Sequence, residues 1–245
     1  MNNCNNILGV KNNGEDSMNI QFDVNNVSHA IETIQNPTSN SKQIEESNKF
    51  LLAFLESPKL FEICNMILKM KKDFQSCFMA SNLLNEKLKK GWEKLENKLE
   101  IRMMIFSNAY DLIGLHNVLD NKLSVLTSTV VINSLDQWET SIAELIDMAK
   151  TENYFIQKSV RKPIRLFILN ILEKIPTNVG STSKSKLIKQ KLSLNLPNLL
   201  NHLNLFLKSV NIQNYNQIVI SSLKVLRTWA ELGKNKLKIK WKKLK

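Results

Sequence analysis

Glycine and proline are scarce in this 245-residue chain, at 6 and 5 copies. A loop-rich β-sandwich uses both at its many turns, so their scarcity argues against that class and for an all-α chain. Cysteine is scarcer still. Cys4, Cys64 and Cys77 are odd in number and contain no Cys-x-x-Cys pair, so no disulfide framework is expected. Cys64 and Cys77 fall inside helical patterns and read as small buried hydrophobes in a reducing compartment. No apolar run approaches the roughly 18 residues of a membrane span. The Asn-rich start lacks the apolar core of a secretory signal, so secretion is not expected.

Catalytic signatures are equally thin. His29, His116 and His202 lie far apart and lack metal-ligand spacing. The stretch Gly180-Ser181-Thr182-Ser183-Lys184 lacks the second glycine of a phosphate loop and follows a helix rather than a strand. Neither an enzyme nor a cofactor is expected. Acidic residues are missing from one part of the chain only. Residues 1–150 hold 15 Lys+Arg against 19 Asp+Glu, a net of −4, whereas residues 151–245 hold 19 against 3, a net of +16. The two parts face different electrostatic partners.

What is present is helical periodicity. Residues 1–21 are an Asn-biased stretch without period, expected to be a disordered tail. Asp23 or Asn25 caps a first helix carrying Val24, Val27, Ile31 and Ile34, and Asn36-Pro37 stops it. Apolar spacing predicts further helices over 41–56, 59–70 (with Pro58 at its first position), 73–90, 93–109, 118–134, 138–150, 159–174, 186–209 and 214–232. The expected inward residues include Leu60, Ile63, Ile67 and Met70 in one of these, and Leu95, Leu99, Met103 and Phe106 in another. The β-branched run Val125–Ile132 suits a strand by propensity. It is read as a buried helix, because no neighbouring strand could pair with it. Residues 175–185 read as a loop, Pro197 as a kink or break, and Gly233 as a helix stop. Ten helices in consecutive pairs of about 35–55 residues match the period of HEAT or armadillo arrays, giving an all-α solenoid of about five helix pairs.

Particular residues add to this. A short helix begins Phe61-Glu62-Ile63, and the next opens Asp73-Phe74-Gln75-Ser76-Cys77-Phe78-Met79-Ala80. Near the other end, Leu226, Trp229, Leu232 and Gly233 form a Leu-x-x-Trp-x-x-Leu-Gly ending. In order and spacing, residues 23–233 resemble the N-terminal region of the importin-β superfamily of nuclear transport receptors, and are most similar to the transportin-SR (SR-protein import receptor) branch. The resemblance implies a HEAT-like array over 22–233 that binds Ran-GTP, with protein cargo and nucleoporins as further partners if more repeats follow. It also implies a place in nucleus and cytoplasm. Two features depart from the pattern: family members are typically acidic and carry many more repeats. Residues 234–245 read as a basic tail or as a mis-predicted end.

The resemblance also implies that the second helix of each early pair grips Ran. The candidate contacts are Lys42, Glu45, Glu46 and Lys49 on the second helix, and Asn82, Glu86 and Lys90 on the fourth. An ordinary solvated helix face would look the same. A rival reading takes the protein as a helical scaffold whose basic C-terminal third binds RNA or another anionic partner. Its patch would be Lys184, Lys186, Lys189 and Lys191, joined by the terminal lysines and Trp241. Aromatic residues are sparse there, so base stacking has little support. The terminal lysine-rich pattern also suits an anionic membrane surface.

Overall fold

A computed structural model describes residues 21–71, 73–150, 158–179, 185–209 and 216–242. It is all-helical, and no strand occurs among the described residues. The helices are α1 (Val24–Gln35), α2 (Ser41–Leu55), α3 (Leu60–Met70), α4 (Phe74–Gly91), α5 (Lys98–Leu112), α6 (Asn117–Ser134), α7 (Ser141–Lys150), α8 (Lys158–Asn178), α9 (Ser185–Ser209) and α10 (Asn216–Lys242). A short 3-10 turn, Trp92–Lys94, follows α4. None of the described helices is long and apolar enough to cross a membrane.

Side-chain caps set the early boundaries. Asp23, not Asn25, caps α1 by accepting from the Asn26 backbone N–H at 2.9 Å. Asn40 and Gln43 form a reciprocal capping box on α2. Asp73 accepts from the Ser76 N–H at 2.6 Å and starts α4. Pro58 does not occupy the first helical position. Lys59 is the N-cap of α3, and Pro58 sits in the turn before it, where the Ser57 hydroxyl accepts from the Lys59 N–H at 3.2 Å. Lys71 ends α3 in the left-handed region, at φ 50°.

The β-branched run is helical, as expected, and forms the middle of α6. The hydroxyls of Ser124, Thr127, Ser128 and Thr129 donate back to carbonyls three or four residues earlier. That satisfies polar groups on a helix buried on nearly every side, with α4, α5 and α8 packed around it.

Five expectations need correction. α5 turns its other face to the core. Ile101, Ile105, Ala109 and Leu112 are buried, while Leu99 and Met103 are 57% and 64% exposed. Met70 of α3 also points outward. α8 continues past residue 174 to Asn178, because Ile175 and Val179 are fully buried and hold the extra turn against the core. Pro197 lies inside a continuous α9, and α10 runs through Gly233 to Lys242. One glycine costs a helix only about 1 kcal/mol, less than the surrounding helix formers supply.

The helices pack in consecutive pairs: α1 on α2, α3 on α4, α5 on α6, α7 on α8 and α9 on α10. From α4 onward the second helices also follow one another, with α4 on α6, α6 on α8 and α8 on α10. Among the first helices, α1 packs on α3, α3 on α5 and α7 on α9. Polar bonds, buried or part-buried, cross these contacts. Asn108 donates to Asn65 at 2.8 Å, Thr129 to Asn85 at 2.8 Å, Asn133 to the Leu88 carbonyl at 3.1 Å and Asn178 to Ser128 at 2.6 Å. Trp229 donates its indole N–H to the Leu172 carbonyl at 2.8 Å. The partners are 43, 44, 45, 50 and 57 residues apart.

Candidate protein-binding surface

The sequence-expected residues of α2 lie along its exposed side. Lys42 pairs with Glu46 at 4.0 Å, and Lys49 with Glu45 at 2.7 Å. The Lys49 hydrogen bond and charge hold the Glu45 carboxyl below its ordinary range, and Glu45 raises the Lys49 ammonium in return. Both groups are open to water, so the pair adds little to stability.

On α4, Asn82 is half-buried, Glu86 and Lys90 are exposed, and Glu86 accepts from Lys89 at 3.1 Å. The C-terminal end of α2 meets α4 through Glu56, bonded to Lys87 at 2.9 Å. Lys87 first, with Lys90 and Lys94 adding, holds the Glu56 carboxyl low. Lys90 therefore shares an electrostatic neighbourhood with the end of α2. The ion pairs of Lys42, Glu45, Glu46 and Lys49 stay within α2, and among the described bonds none joins that group to Asn82 or Glu86.

Sequence reasoning missed what α6 brings to this face. α4 and α6 run parallel and in step. Phe74 stacks on His116 at 4.0 Å, and Lys122 reaches over the Phe78 ring at 5.6 Å. Further along, Asn85 meets Thr129, and Leu88 meets Asn133. His116 caps α6, its Nδ1 accepting from the Val118 N–H at 3.2 Å. Asp120 accepts from the Gly114 N–H at 3.0 Å, and burial raises its carboxyl above the ordinary range. Phe78 and Asn82 lie one turn apart on α4, so the signal was present as spacing. The partner helix was not legible, because it lies more than forty residues away.

The basic patch is only partly assembled. Lys186 and Lys189 are exposed on α9, but the Lys191 ammonium is bonded to Asp136 in the turn between α6 and α7. Lys184 lies outside the described residues. Lys240, Trp241 and Lys242 fall on the far end of α10, where only the backbone is described, and Lys243 and Lys245 lie outside the described residues. The thiols of Cys64 and Cys77 are buried, and burial pushes both upward, with Asp73 adding to the rise at Cys77. Among the described residues no group of three or more His, Cys, Asp or Glu side chains is gathered for a metal.

No protein-family model matches this chain, and no curated protein is significantly similar to it in sequence.

Proposed function

We propose that this chain is a protein-binding scaffold: an α–α superhelix of HEAT type, built from five helix pairs, that works by presenting a face rather than by chemistry. The observation that carries this reading is the in-step parallel packing of α4 on α6, bridged at Phe74–His116, Phe78–Lys122, Asn85–Thr129 and Leu88–Asn133. A constant register between helices one pair apart is how a stacked array propagates. Single bonds from α3 to α5, α6 to α8 and α8 to α10 also join helices one pair apart.

The more specific proposal rests on the resemblance to importin-β receptors of the transportin-SR branch. In it, the second-helix faces of α2 and α4 bind Ran-GTP, with Lys42, Glu45, Glu46, Lys49, Asn82, Glu86 and Lys90 as contacts. Exposure of the α2 residues, and the half-exposed edge of α4, supports that assignment. The whole chain, immobilised and offered Ran loaded with GTP or GDP, is expected to retain the GTP form selectively. Equal retention or none, with the chain shown to be helical, sinks the receptor reading.

Exposed Lys186 and Lys189, within a part of the chain that carries +16, support a second reading. Here the C-terminal third binds a phosphate backbone. That interaction weakens steeply with salt and ignores the nucleotide on Ran.

A further inference from the structure

α5 carries two apolar stripes, and its own chain covers only one. Ile101, Ile105, Ala109 and Leu112 face the core, and the packed neighbours of α5 are α3 and α6. Leu99, Met103, Phe106 and Tyr110 recur at i, i+4, i+7 and i+11, which is a second helix face. Leu99, Met103 and Tyr110 are 57%, 64% and 49% exposed. Phe106 is half-buried, in a T-shaped contact with Trp138 at 5.5 Å between ring centroids. Trp138 thus walls the stripe on one side. The charged border is acidic. Glu100 and Asp111 flank the stripe on its other side, and Glu139 follows Trp138 in the chain. All three are exposed, and among the described residues no bond holds their carboxylates. The nearest cations are already engaged. Arg102 lies over the Trp138 ring at 4.4 Å, and Lys98 donates to the Glu93 carbonyl at 3.4 Å.

An apolar helix face bordered by unpaired carboxylates is complementary to an amphipathic helix bordered by lysines. This chain carries such a segment. Residues 234–245 hold seven lysines and no acidic residue, and Leu237, Trp241 and Leu244 recur at i, i+4 and i+7. The backbone of α10 is helical through Lys242. We propose that the outer face of α5 is a docking site for the lysine-rich end of α10 from a second copy of this chain. The same copy does not supply the occupant, because its α10 is one continuous helix packed on α8 and α9 and not on α5. Met103 is central to one surface in sequence, and Trp241 to the other. A contact between unlike surfaces closes as a reciprocal pair or continues as an open chain of copies. This inference goes beyond the scaffold reading and requires nothing of Ran.

The test is self-association of the whole chain, followed by sedimentation velocity over a range of concentrations. Wild type is expected to associate as concentration rises, and less so at high salt. Met103→Lys and Trp241→Ser should each raise the dissociation constant at least about tenfold, with helicity unchanged. Mixed in equal amounts, the two variants should associate clearly more tightly than either does alone. Trp241→Ser keeps the α5 face and Met103→Lys keeps the α10 end, so each mixed pair has one intact contact. A mixture no tighter than the single variants would overturn the pairing. Association that survives either substitution would overturn it too. So would wild type that stays monomeric at every concentration, whether the α5 face is bare or covered by its own chain. Ran capture is scored separately, so its failure removes only the receptor reading.

Discussion

At the scale of single residues, the informative groups are polar side chains shut inside helix contacts. Asn108 is buried and donates to Asn65, which is half-exposed. The two ends of that bond are therefore unequal. Asn65→Ala strands a buried amide and is expected to cost roughly 1–3 kcal/mol. Asn108→Leu strands only a group that can turn to water, and should cost clearly less. Urea denaturation of both variants gives the order, and the reverse order would contradict the burial assigned here. Asp120 offers a test by pH. Burial raises its carboxyl, while the Gly114 N–H and His116 pull it down. An acid raised on folding holds its proton more tightly in the folded state. Its contribution is fully present below the unfolded pKa and is lost as pH rises through the folded pKa. Asp120→Asn keeps an acceptor for Gly114 and removes the titration. Relative to wild type, the variant should gain stability as pH rises from below the unfolded aspartate value through the folded one. A relative loss over that interval would show the carboxylate to be favoured by folding.

At the scale of elements, legibility followed the caps and failed where a helix had two apolar faces. Of the two residues the sequence offered for the first start, Asp23 is the cap, and the starts that spacing put near 41 and 73 are capped by Asn40 and Asp73. α5 has no such clarity. Ile101, Ile105 and Ala109 recur at helical spacing, and so do Leu99, Met103, Phe106 and Tyr110 on the opposite side. Periodicity cannot choose between two stripes of similar apolarity. The tertiary context chose, burying Ile105 to 1% exposure and leaving Met103 outside. Met103→Gln is accordingly expected to stay within about 0.5 kcal/mol of wild type. Ile105→Gln places a polar amide in the core and should cost several times more. Thermal melts that rank the two the other way would restore the stripe that spacing alone suggested. α8 shows the same limit from another side. Pro176 and the small polar residues after it read as a loop, yet burial of Ile175 and Val179 holds the helix for another turn. The faces of α2 and α4 were put forward through the family resemblance, with spacing naming the residues on them. Lys122, Phe74 and His116 were not, because their meeting depends on the register between α4 and α6, which no local signal encodes.

At the scale of the whole molecule, a stacked array and a single globular core answer a local injury differently. In an array each pair is held by its neighbours, so damage at one end reaches the other weakly. Ala80 is fully buried in α4, and Ala80→Trp should overpack that region at a cost of roughly 1–3 kcal/mol. Trp229 is fully buried in α10 and bonded to the Leu172 carbonyl of α8. Trp229→Phe removes that bond and some volume, at a cost of about 1 kcal/mol or more. The two sites share no partner, so the double variant should equal the sum of the singles within about 0.5 kcal/mol. Additivity alone would also fit a large globular domain, so native-state hydrogen exchange decides. Ala80→Trp should speed amide exchange in α1, α3, α4 and α6, the helices packed around that site, and leave α10 near wild type. Trp229→Phe should do the converse, speeding α8 and α10 while α1 and α2 stay protected. If Ala80→Trp instead releases α10 as readily as α4, the helices share one cooperative core, and the parallel register of α4 on α6 is a local packing choice rather than the rule of a repeating array.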